Sequence, residues 1–166
     1  MRGACSAPEW HSLRAAWEGP RALHRLFPVL RPEDVPFGEE AVGDQFVLRE
    51  GVVHRLRAET GELESLRVDL PDFDAAVRRD PVEYLGLHPL EQFRAEGGVL
   101  APGQLLSAYP PFCATESGGG VSLRAVPAGD RLGFLASLAA QLRDLPDGTA
   151  LEFVIQPPRA AMERIV

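Results

Sequence analysis

The chain contains no lysine and no asparagine, and all seventeen of its basic residues are arginine. Such completeness reads as the codon bias of a GC-rich bacterial genome rather than as a property of the fold. Cysteine is scarce too. Cys5 and Cys113 are fewer than a disulfide-stapled secreted domain would carry, so both are expected as free thiols in the cytoplasm. Neither a CxxC nor an HExxH spacing occurs, and His11, His24, His54 and His88 are scattered, which leaves no metal site and no cofactor to expect. No apolar run approaches the length of a membrane span, and no basic segment leads into an apolar stretch, so no membrane partner is expected. A surplus of positive charge is also missing. The formal net charge is −7, which argues against direct binding to nucleic acid phosphates.

What is present is 166 residues, 45% hydrophobic and 25% charged, enough for one domain with its own core. The negative charge is concentrated. Residues 1–32 carry a net +3 and residues 97–166 a net −1, whereas residues 33–96 carry a net −9. Such a segment is either a solvated acidic surface or a face that meets a basic partner.

Trp10, Leu13 and Trp17 stand at helical spacing behind a Ser6/Glu9 capping box, and Leu23, Leu26, Phe27 and Leu30 form a second stripe that Pro28 should end. Alternation then predicts strands over 44–49, 52–57 and 63–68, joined by a two-residue turn at Glu50-Gly51 and a longer turn at Thr60-Gly61. His54 falls on a strand face with Val52 and Leu56, as a half-buried structural histidine. Helices follow from Asp69, with Phe73, Ala76 and Val77 on one stripe, and from Asp80-Pro81, a cap followed by a first-turn proline. Gly97-Gly98 stops the helical spacing. QLLSAYPPF, residues 104–112, reads as a strand ending at Pro110-Pro111 and 120–126 as another, with a flexible loop, ATESGGG, between them, and Leu132, Leu135, Leu138, Ala139 and Leu142 mark a helix over 130–143. Leu151, Phe153 and Ile155 alternate in a last strand, and a tail begins at Pro157. The fold class is α+β: one mainly antiparallel sheet with helices packed against it, a single domain over 1–156 and a tail over 157–166.

The search for chemistry returns little. Ser117-Gly118-Gly119-Gly120 lacks the lysine and the helix of a phosphate loop, and no GxSxG frames a nucleophile. Cys113 follows Pro110-Pro111 with no local partner and is expected as buried packing. The acids Glu39, Glu40, Asp44, Glu59, Glu62 and Glu64 could supply an acid/base pair, but an acidic chain always offers pairs. The expectation is no catalytic residue. These six acids are instead expected in loops or at strand ends, exposed, as a partner-binding surface.

Residues 36–66, PFGEEAVGDQFVLREGVVHRLRAETGELESL, followed by DLPDFDAAV, resemble the SUKH superfamily of Smi/Knr-type proteins. In that family a proline-led segment runs through an acidic loop and a Gly-Asp into a β-meander, and a short helix with an aromatic residue, here Phe73, comes next. Residues 103–141 are similar to the C-terminal region of immunity proteins that protect against type VI secretion DNase effectors. The two stretches cover less than half of the chain. The Asn-Gly-Gly helix end that often opens Smi/Knr proteins is absent. The resemblance implies a single SUKH-like α+β domain, non-enzymatic, that binds and neutralises a cognate toxin domain; the acid excess suits a basic one, and the absence of a leader or span in the sequence suits the cytoplasm. The alternative it implies is an adaptor or regulatory interaction module without a toxin. Oligomeric state is open.

Overall fold

The computed structural model describes residues 22–146 and 148–150. The expected Trp10–Trp17 helix with its capping box, the strand over 151–155 and the tail from 157 lie outside the described residues. The first helix, α1 (Leu23–Leu26), stops before Pro28, and Leu23, Phe27 and Leu30 are all buried.

Four strands follow as an antiparallel meander in the order β1 (Val35–Glu39), β2 (Gln45–Arg49), β3 (Val52–Arg57) and β4 (Glu62–Ser65). The turn between β2 and β3 has φ of 52° at Glu50 and 82° at Gly51, the twin positive values of a tight turn that matches strand twist. β1 was not expected from sequence, because Pro36 and Gly38 interrupt its alternation. Its register against β2 shifts between those two residues, which suits an edge strand. β4 is shorter than the expected 63–68. Arg67 takes a φ of 58°, yet Leu66 and Val68 still bond to Val53 on either side of it, so the chain bulges rather than leaves the sheet.

The meander is buried on both faces. Val47 and Leu56 face one way, into a cluster with Leu23, Phe27, Leu30, Leu105, Leu132, Leu135 and Ala139. Phe46 and Val53 face the other way, against Phe73 of α2 (Leu70–Arg79), with Phe37, Leu48, Leu66, Val68 and Val77 around them. The rings of Phe46 and Phe73 lie 4.9 Å apart, and Phe37 meets Phe73 edge-on at 5.6 Å. His54 is half-buried, with its Nδ1 3.1 Å from the Val52 carbonyl, as the sequence suggested.

Asp69 caps α2 by accepting the Asp72 N–H, and Asp80 does the same for α3 (Pro81–Tyr84) through the Glu83 N–H. A fourth helix, α4 (His88–Ala95), ends where Gly97 takes a φ of 85° and Gly98 N–H reaches back to the Phe93 carbonyl. β5 (Gln104–Tyr109) and β6 (Ser122–Pro127) then pair as a separate two-stranded sheet, not as part of one sheet. The ATESGGG segment between them contains a 3₁₀ turn over Thr115–Gly119 rather than a plain loop. The last described helix, α5 (Ala128–Leu142), buries Leu132, Leu135 and Leu138. The architecture is α+β. Among the described residues no helix is long and apolar enough to cross a membrane.

Candidate functional site

The segment between β1 and β2 closes on itself: Glu40 N–H donates to the Asp44 carbonyl and Gly43 N–H to the Glu40 carbonyl. Gly43 sits at a φ of +111°, and a Cβ there would come within 2.6 Å of Leu135 Cδ1. Only glycine permits both that backbone and that approach. The consequence is that the loop lies flat on α5 and its acids turn inward.

This corrects the expectation of an exposed acidic loop. Glu40 is 2% exposed and Glu59 9%, while Glu39 and Asp44 are half-buried. Only Glu62 and Glu64, on β4, are exposed as expected. The reason is pairing across the fold. Arg55 Nη2 donates to Glu40 Oε2 at 2.9 Å and lies 3.2 Å from Asp44 Oδ2. Asp44 Oδ1 accepts the Ala58 N–H at 2.9 Å. Arg131, itself 2% exposed, reaches Glu59 Oε1 at 3.3 Å and the Val42 carbonyl at 3.2 Å. Glu59 Oε2 accepts the Cys113 N–H at 2.9 Å, which fastens the loop after β5 to the meander. Glu39 takes one hydrogen bond, from Gln45 Nε2.

Burial dominates the titration of this cluster. It lifts the carboxyls of Glu39 and Glu40 to about 7; for Glu40 the Arg55 guanidinium opposes the rise without cancelling it, and Asp44 adds to it. Burial also raises Asp44, against the Ala58 N–H and Arg55, and lowers Arg131 despite Glu59 beside it. The contrast is Asp34, whose carboxyl is held below its usual range by the Arg49 guanidinium, 2.6 Å away.

Cys113 needs a second correction. It is exposed, not core packing, and desolvation with Glu59 close by pushes its thiol up to about 11. A thiol so reluctant to ionise is a poor nucleophile at neutral pH.

Over the cluster lies an open cleft of about 340 Å³. Glu40, Asp44, Arg55 and Glu59 line it on the sheet side, Gly86, His88 and Pro89 on a second, and Phe112 and Cys113 on a third. A larger groove, about 990 Å³, runs between Leu26–Val29 and the C-terminal end of α5, where Thr60, Glu62, Thr115, Glu116 and Arg143 stand among apolar side chains such as Ala136, Ala139 and Leu142. The buried, mutually paired carboxylates belong to the smaller cleft.

Sequence reasoning placed the acidic surface within residues 33–96 but did not single out the acids of α2–α4 that form most of it. Asp69, Asp72, Asp74, Asp80, Glu83, Glu91 and Glu96 are all exposed over α2–α4, against three exposed arginines, Arg78, Arg79 and Arg94. The signal was available in the helix caps, since a capping or first-turn acid belongs on the surface. No protein-family model, curated protein or solved structure matches the chain.

Proposed function

We propose that this protein is an immunity-type protein of the bacterial cytoplasm, which binds and neutralises a cognate toxin domain through an acidic surface. The observation that carries the reading is the excess of exposed carboxylates over α2–α4, continued in type by Glu62 and Glu64 on the edge strand β4. An acidic layer of this kind steers a basic protein into encounter and disfavours nucleic acid. Nuclease toxins bind polyanions, so their clefts are basic, and a DNase effector of type VI secretion suits the surface well. The SUKH resemblance supports the same reading in its order of parts. Gly43-Asp44 leads from β1 into β2 within the meander, and the helix carrying Phe73 follows β4. No hydrolase or transferase activity is part of the proposal.

The test is growth rescue. The toxin domain encoded beside this gene is co-expressed with the protein, and survival is scored with association kinetics of the purified pair. Reversal of Glu83, Glu91 and Glu96 to arginine, or of Glu62 and Glu64, should slow association, with the deficit shrinking as salt screens the field. Absence of both rescue and binding would favour the adaptor reading, in which a pull-down from the native host returns a non-toxin partner.

A further inference from the structure

The last described residue, Ala150, lies on the wall of the larger groove. The Pro146 carbonyl accepts the Thr149 N–H at 3.2 Å and the Thr149 hydroxyl at 2.6 Å, and this turn delivers the chain to the groove. Leu26 of α1, Val29 just after it, Leu142 of α5 and Leu145 supply large apolar side chains there. Val29 is 39% exposed and Leu145 38%, so the groove leaves apolar surface in water. Gly61 and Glu62, where β4 begins, belong to the same groove. β4 pairs with β3 on one side and, among the described residues, with no strand on the other. An apolar groove and an open strand edge thus meet at the point where the chain runs on.

We propose that this groove is the docking site of the chain's own residues 151–155, which pair with the free edge of β4 and set Leu151, Phe153 and Ile155 into the groove. The sequence supplies the right segment at the right place. Leu151-Glu152-Phe153-Val154-Ile155 begins at the residue after Ala150, carries apolar side chains at every second position, and is followed by Pro157-Pro158, which cannot extend a ladder. Five extended residues reach about 17 Å, a little more than the four residues of β4 need. The faces agree as well. Leu63 packs against the main core cluster while its neighbours on β4 are exposed, so an added strand continues that apolar face with its own alternate residues. Glu152 and Val154 then fall on the outer face with Glu62 and Glu64. Pairing with β4 gives the backbone of the docked segment hydrogen-bond partners, without which burying it beside leucines would be costly.

Two other occupants are less well placed. The N-terminal residues enter the fold at Ala22, which is buried and does not line the groove. A second copy would bring the same segment from dilute solution, whereas the segment joined to the rim through Ala150 is present at a roughly millimolar effective concentration. Once docked, residues 151–155 close an edge along which copies of the chain would otherwise pair. The proposal stands apart from the toxin-binding reading and concerns the opposite need, keeping one surface from binding.

The experiment uses the full chain, isotope-labelled, in solution. Nuclear Overhauser contacts from the Phe153 ring should reach methyl groups of Leu26, Leu142 or Leu145, and in an equal mixture of labelled and unlabelled chains none should cross from one chain to another. The β4 amides that do not bond to β3 should exchange with solvent at least about tenfold faster in Phe153→Asp than in the wild type. That variant should melt lower by about 5 °C or more, with the shifts around Phe73 unchanged, and Glu152→Gln should alter neither exchange nor melting. Phe153 contacts elsewhere in the fold or none at all, or β4 exchange untouched by Phe153→Asp, overturn the proposal. Contacts found only between chains overturn it in favour of a second copy, and a groove that fills only when a toxin domain is added overturns it in favour of that partner. The contacts are read with no toxin present, so their failure leaves growth rescue standing, and failed rescue leaves the docked segment standing.

Discussion

Glu40→Gln should make the protein more stable at neutral and alkaline pH, although it deletes an ion pair. A carboxyl raised from 4.5 to about 7 in the folded state is one that the fold prefers protonated. The folded state then binds the proton more tightly than the unfolded chain between those two values. Stability is therefore full below about pH 4.5, is lost as pH rises toward 7, and stays low above it. At about 1.4 kcal/mol per unit of pKa difference, Glu40 alone contributes a loss of about 3 kcal/mol across that window. Asp44 shifts in the same direction, and Glu39 adds a smaller part because it is half-exposed. Asp34 acts with the opposite sign and elsewhere: its stabilisation disappears only as pH falls below its ordinary value of 3.8. Glutamine keeps the shape and carries no charge to desolvate. Urea unfolding followed by far-UV circular dichroism at pH 5 and pH 8 should show the wild type losing about 2–3 kcal/mol between them, and Glu40→Gln losing much less. At pH 8 the variant should be ahead by about 2 kcal/mol. If it is instead less stable than wild type by a kcal/mol or more at pH 8, the Arg55 pair outweighs burial and the reasoning fails.

Leu135 is fully buried in the main core cluster, so Leu135→Asp should cost upwards of about 4 kcal/mol; an unchanged melting temperature would remove α5 from the core. Arg131→Met leaves Glu59 with a buried charge and no guanidinium, and should cost about 3–5 kcal/mol, much of it recovered by adding Glu59→Gln in a double-mutant cycle. Asp69→Ala removes the cap on α2 and should cost about 1 kcal/mol in urea unfolding, whereas a neutral result would show the helix is held by Phe73 alone.

Where the structure answers to local chemistry, the sequence announced it. Glu50-Gly51, the Asp69 and Asp80 caps, Gly97-Gly98 and the leucine stripe of α5 each depend on residues within a turn or two of one another. β1 escaped because proline and glycine break the alternation on which strand reading rests, while an edge strand tolerates both. The second sheet escaped because pairing of β5 with β6 rather than with the meander is set at long range. The carboxylate cluster was misplaced for the same reason: Arg131 lies 72 residues from Glu59, and Arg55 lies 15 from Glu40. One clue was in view. Arg131 shares the i, i+4, i+7 stripe with Leu135 and Leu138, and an arginine on a buried helical face requires a carboxylate beneath it.

The two buried faces of the meander differ in how far along the chain their covers lie. Phe46 and Val53 are capped by Phe73, on the very next helix, whereas Val47 and Leu56 wait for Leu132 and Leu135. The loops to be closed are about 20 and about 80 residues, a difference of roughly 1 kcal/mol in closure entropy. More telling is the order of events during synthesis. The Phe73 face is completed almost as soon as the meander emerges from the ribosome, but the opposite face, already shaped, stays open while some sixty further residues are added. For that interval α1 and its apolar neighbours are its nearest shelter, and a half-made chain exposes a flat hydrophobic sheet face to whatever else is being made nearby.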